Sequence, residues 1–200
     1  MCCMPICGWI VSGPAMSAEA DVKYLLLRGV NVGAHRKLPM ADLRAILAEL
    51  GARDVQTHIQ SGNAVFRGAL DGTSLAQAIG ARFGFAPAVM ILTRPQYAGV
   101  LAANPFAASG AADGAPVHIG FLAHPSRVDP ATLQALAIPG EFCHLTPEAF
   151  YLHAPAGVGR SVLAARAERV LGVPMTMRNQ RVAVALAMLA QTLQNGDLPC

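Results

Sequence analysis

VQTHIQSGNAVF, residues 55–66, alternates side-chain character and then turns at Ser61-Gly62. Val55, Thr57 and Ile59 fall on one face and Gln56, His58 and Gln60 on the other, the period of a half-buried strand. NAVF continues as a second strand, so the stretch predicts a β-hairpin with a two-residue loop. Upstream, MADLRAILAEL (40–50) sets Met40, Leu43, Ile46, Leu47 and Leu50 on one helical stripe that Gly51 ends, and VKYLLLR (22–28) reads as a strand. Downstream, Asp71 to Thr73 supply cap chemistry for a helix over 74–83, and AVMILT (88–93) reads as a buried strand. With the hairpin in the middle the order is β-α-β-β-α-β.

The same order returns further on. VHIGFL (117–122) predicts a strand, Asp129–Ala137 a helix opened by Asp-Pro, EFCHL and FYLHA two strands, Ser161–Leu171 a helix, and PMTM a short strand. A last helix over 181–194 carries Val182, Leu186, Leu189 and Leu193 as an apolar stripe expected to pack across a sheet. The expected class is α+β: two tandem ferredoxin-like (α/β-plait) halves, 22–93 and 117–195, with the terminal helix in the second. Residues 94–116 are expected to form a connector with a short helix starting at Pro95. Residues 1–17 are expected to be an extension outside the fold, disordered or upstream of a true start at Met16, since Gly8, Gly13 and Pro14 interrupt its apolar run and no basic segment makes it a signal peptide.

In each half the expected strand order is 4-1-3-2. That order brings the loop after the first strand beside the hairpin turn, so Arg28–Leu38 and Gln60-Ser61-Gly62-Asn63 are predicted neighbours. The loop RGVNVGAHRKL carries Arg28, Arg36 and Lys37 with no carboxylate. An anion needs convergent donors and close backbone approach: Arg28 offers a planar fork, Asn31 an amide, Gly33 open backbone, and Lys37 a movable charge before the first helix. Gln60, Ser61 and Asn63 would orient a ligand. Asp42 complements the helix dipole and is the only carboxylate near enough to act as a base. In the second half, AGVGRS (156–161) and TMRN (176–179) make another basic region with Arg160, Arg178 and Asn179. Whether the two regions meet is open. In each case the plainer alternative is also open: bends, caps and solvated charges.

Composition bounds the rest. With 54% hydrophobic and 14% charged residues the chain has ample core material, and a net charge of +3 is too small for nucleic-acid binding by the whole surface. Weak nucleic-acid binding through the two basic regions remains open, and so does a non-catalytic protein-interaction module. No apolar run approaches the ~20 residues that span a bilayer. Five cysteines without framework spacing fit a reducing cytoplasm, and Cys2, Cys3 and Cys7 lack the paired half-sites of structural zinc. The six histidines show no HExxH and no helical pair, and neither GxGxxG, GK[ST] nor GxSxG occurs. Neither metal nor cofactor is expected, and no complete catalytic set is legible.

LLLRGVNVGAHRKLPMADLRAILAELG, VQTHIQSGNAVF, NPF, GVGRS and TMRN, in that order, resemble the signature blocks of the bacterial DUF1697 family from about Lys23 to Leu193. The resemblance implies tandem α/β-plait halves and brings no activity with it. It points to Arg28, Asn31, Gly33, Gln60, Ser61, Asn63, Arg178 and Asn179. The chain departs from the family pattern at His58 (Tyr there), Met177 (Thr), Gln180 (Trp) and Ala185 (Lys), so the second-half region has lost an aromatic and a charge.

Overall fold

Val22, Tyr24 and Leu26 face one side of strand β1 (Val22–Arg28), Leu25 and Leu27 face the other, and all five are buried. A strand that is apolar on both faces must lie between two covering layers, and β1 is one of the two inner strands of the first sheet. The computed structural model describes residues 21–33, 35–110 and 114–195; the extension at 1–17, and with it Cys2, Cys3 and Cys7, lies outside them. Among the described residues there are two four-stranded antiparallel sheets and six α-helices. The first sheet joins β2 (Arg53–His58), β3 (Asn63–Arg67), β1 and β4 (Ala88–Thr93) in the order β2-β3-β1-β4. The second joins β5 (Val117–Leu122), β6 (Phe142–Leu145), β7 (Ala149–His153) and β8 (Met175–Asn179) in the order β6-β7-β5-β8. Both are the 4-1-3-2 order expected from the sequence.

Helices α1 (Met40–Glu49) and α2 (Gly72–Phe83) cover the outer face of the first sheet through Leu43, Ile46, Leu47, Leu75 and Ile79. The second sheet is covered by α4 (Pro130–Gln134) and α5 (Val162–Leu171) through Leu133, Leu163 and Ala167. The inner faces of both sheets share one core with α3 (Arg94–Ala102) and α6 (Gln180–Asn195). Tyr97 of α3 is its hinge-pin: the ring stacks on Tyr24 at 3.8 Å and 4°, lies 5.2 Å from Phe121 of the second sheet, and its hydroxyl donates to the Ala183 carbonyl at 3.0 Å. Burial drives that hydroxyl's pKa far above its ordinary value. Tyr151 of β7 likewise donates to the Val100 carbonyl at 2.8 Å.

Local chemistry fixes most helix starts. Asp71 accepts from Ser74 N–H, Asp129 from Ala131 N–H and Ser161 from Ala164 N–H, while Thr93 and Gln96 form a reciprocal capping box. Four sequence expectations change. The hairpin loop has four residues, 59–62, because His58 pairs with Asn63; Ile59 therefore sits outward at φ 49°, unusual for a β-branched residue. Strand β4 is an edge strand and none of its residues is fully buried. The helix expected over 129–137 keeps α-helical form only to Gln134, because Leu136 and Ala137 donate three residues back rather than four. And α3, expected inside a connector, contributes Tyr97 and Val100 to the core. No helix among the described residues is long and apolar enough to cross a membrane.

His118 on β5 is buried and its Nδ1 has no hydrogen-bond partner. Burial pulls its pKa below the ordinary 6.5, with the Pro116 carbonyl opposing. Above the unfolded value the imidazole is neutral in both states, so its contribution is fully present. As pH falls the unfolded chain takes the proton first and stability is lost through the folded pKa. Denaturation midpoints compared near neutrality and at about pH 5 should therefore fall less in His118→Leu than in the wild type; equal falls would remove His118 as the source.

Candidate functional site

Where β1 ends at Arg28 the chain turns back and forth: φ is positive at Gly29 (79°), Asn31 (54°) and Gly33 (64°), negative at the residues between, and positive again at Arg36 (56°). Asn31 tolerates that conformation better than most residues and pins the loop with its amide. Its Nδ2 donates to the Leu38 carbonyl at 2.9 Å and to the Gln60 carbonyl at 2.6 Å, and its Oδ1 accepts from Leu38 N–H at 2.8 Å. Asn31 N–H donates to the Arg36 carbonyl at 3.0 Å. The contact to Gln60 makes the loop and the hairpin turn neighbours, as the strand order predicts.

Gly62 completes that seat. A Cβ there would lie 2.6 Å from Val30 Cγ2 and 2.7 Å from Leu27 Cβ, at φ 72°. Clash and backbone strain together make Gly62→Ala cost about 2 kcal/mol, read as a lower denaturation midpoint; an unchanged midpoint would mean that loop and turn can separate freely.

Asn63 is fully buried, its Nδ2 donating to Ser61 Oγ at 2.7 Å. Its Oδ1 accepts from Arg178 Nε at 2.5 Å, a bond from β8 of the second sheet into the first. The same guanidinium donates through Nη2 to the Leu27 carbonyl at 2.6 Å and the Ser61 carbonyl at 3.3 Å, and through Nη1 to Met177 at 2.8 Å. Burial lowers the Arg178 pKa to about 10, with Tyr97 opposing, so it stays a cation at neutral pH. Arg28 crosses in the opposite sense: it is ion-paired with Glu168 of α5 and donates to the Met175 carbonyl at 3.2 Å. The two basic regions left unconnected by the sequence thus meet, and they meet by interlocking.

The remaining sequence candidates divide. Gly33, Arg36, Lys37 and Gln60 are exposed, and Ser61 is half-buried. Asn179 accepts from Val182 N–H at 2.9 Å and so closes the first turn of α6. Arg160 is exposed on a single 3-10 turn before α5. Glu168 was missed by sequence reasoning, although a signal exists: it is the only carboxylate between Glu148 and Asp197. Gln180, where the resemblance leads one to expect Trp, is a buried joint that accepts from Asn104 Nδ2 at 2.9 Å and donates to the Ala107 carbonyl at 2.8 Å. No group of three or more potential metal ligands occurs among the described residues.

The model of the family described as protein of unknown function (DUF1697) matches residues 22–152, well over half of the 200. The chain belongs to the DUF1697 family. The matched span holds the RGVNVG and QSGN blocks and stops before GVGRS and TMRN, so the DUF1697 assignment rests on the first half and the start of the second. The conserved bacterial protein SP0830 from Streptococcus pneumoniae resembles this DUF1697 chain at 23% identity and a TM-score of 0.62, covering 85% of this chain and 98% of its own, a likeness of fold. Protein BT0572 from Bacteroides thetaiotaomicron is 9% identical over 83% of this chain and 96% of its own with a TM-score of 0.21, which carries no structural argument. No curated protein matches significantly.

Proposed function

We propose that this DUF1697 protein is a cytoplasmic binder of a small phosphorylated or carboxylated ligand, a nucleotide among the candidates, seated on the loop from Gly29 to Lys37. We further propose that each sheet with its flanking helices is a ferredoxin-like half, 22–93 and 117–195, with 94–116 joining them. The alternation of φ sign from Gly29 to Gly33 carries the ligand proposal. Such alternation turns backbone N–H groups toward one side, an arrangement that cradles anions; the Asn31 N–H is already given to the Arg36 carbonyl, so the contact would fall to the other N–H groups of the turn. Around it stand Arg36 and Lys37, both exposed, and the outer edge of Arg28. Asn31, Asn63 and Arg178 then shape the cradle rather than touch the ligand, and Gln60 and Ser61 border it.

This division of roles changes the informative mutation. Arg28→Ala would break the ion pair to Glu168 as well as any ligand contact. The double variant Arg36→Ala, Lys37→Ala leaves the interlock intact. In thermal unfolding with phosphate, citrate and nucleotides at matched ionic strength, a ligand at about 100 times its Kd should stabilise the wild type by about 2.7 kcal/mol, and the double variant should lose that shift while keeping its own ligand-free midpoint. No shift across the panel, or an equal shift in both proteins, would overturn the proposal.

A further inference from the structure

The opposite end of the first sheet holds a second cleft, separated from the RGVNVG loop by the length of β1, about 20 Å. Its volume is about 610 Å³, within the range of roughly 300–1,000 Å³ typical of small-molecule sites. Two basic side chains from different elements line it, Arg67 of β3, which pairs across from Val22, and Arg94 at the start of α3; Lys23 of β1 adjoins it but alternates to the other face of the sheet. Asp21 is the one carboxylate in the lining. Val22, Pro95 and Ala98 give it an apolar wall.

Arg67 is held in place before any ligand arrives. Its Nε pairs with Asp54 at 3.2 Å and its Nη2 donates to the Leu193 carbonyl of α6 at 2.8 Å, fixing the guanidinium against the last turn of that helix. Arg94 is exposed, yet its charge reaches the inter-sheet layer: burial raises the Tyr24 hydroxyl's pKa and Arg94 partly offsets the rise. A positively charged cleft of this size with one greasy wall suits neither a bare ion nor a neutral hydrocarbon, because each would leave half of the lining unmatched.

We propose that this cleft binds a small organic anion, with a phosphate or carboxylate held by Arg67 and Arg94 and an apolar body against Val22, Pro95 and Ala98. The site is separate from the loop and stands whether or not the loop binds anything. Calorimetric titration of the full chain at fixed ionic strength tests it with three probes of similar body: phenyl phosphate, benzoate and the neutral benzyl alcohol. At least one anion should bind saturably, and which one names the head group. Arg94→Glu should weaken that binding at least about tenfold, Arg94→Ala should weaken it less, and Arg36→Ala, Lys37→Ala should leave it unchanged. Both substitutions are at an exposed residue, and each is read only after its unfolding midpoint matches the wild type. Any of three results would overturn the site: no saturable binding of either anion, benzyl alcohol binding as tightly as the anions, or wild-type affinity in both Arg94→Glu and Arg94→Ala.

Discussion

Arg178→Ala is expected to lower the stability of the folded chain by about 3 kcal/mol. Removing the guanidinium leaves Asn63 Oδ1 and the carbonyls of Leu27 and Ser61 without the donor that now serves them. Each stranded acceptor in a dry environment costs on the order of 1–3 kcal/mol, partly offset because a buried cation no longer has to be kept out of water. Arg178→Lys should rescue little, since one ammonium cannot copy a planar fork that bonds on three sides. Denaturant titration of the three proteins is the check, and a loss below about 1 kcal/mol for the alanine variant would show that the sheets do not depend on this clamp. Because Arg178 bonds to Leu27, Ser61 and Asn63 beside the loop, the alanine variant should also lose whatever ligand affinity the loop has.

Tyr97→Ala should cost more, about 4 kcal/mol, by the measure of large buried aromatics cut to alanine. The ring is fully buried between Tyr24 and Phe121, so no neighbour can swing in to fill the space without leaving its own. Tyr97→Phe keeps both stacks and gives up only the hydroxyl's bond to Ala183, a loss of about 1 kcal/mol. At the size of this chain the alanine variant's thermal midpoint should drop by about 12 °C. A drop as small as that of the phenylalanine variant would mean that α3 is dispensable to the core.

Much of the fold is legible because it is written in local periods. The stripe of Met40, Leu43, Ile46 and Leu47, the caps at Asp71 and Ser161, and the two βαββαβ orders are properties of neighbouring letters, and the structure contains each of them. The hairpin shows where that legibility ends: alternation carries Ile59 inward, but pairing of His58 with Asn63 closes the strand two residues earlier and turns Ile59 out. Tyr97 and Val100 escape notice because α3 is exposed along most of its length and offers only these two letters of a buried stripe. Arg178 stood out as a basic residue, yet its main acceptors are the backbone carbonyls of Leu27, Ser61 and Met177, and a carbonyl has no letter. Charge in a sequence announces that a partner is needed, while only packing decides whether the partner is a ligand or the protein itself.

The inner face of the first sheet carries a further consequence. Tyr24, Leu26 and Val65 are covered in good part by α6, the last of the described helices, through Val182, Leu186, Ala190 and Leu193. During synthesis all four strands of that sheet leave the ribosome before their cover exists, and the sheet must wait through the whole second half with a greasy face in water. Translation speed across residues 94–179, and the supply of chaperones that hold apolar surfaces, should therefore govern how much of this chain reaches its native state in the cell.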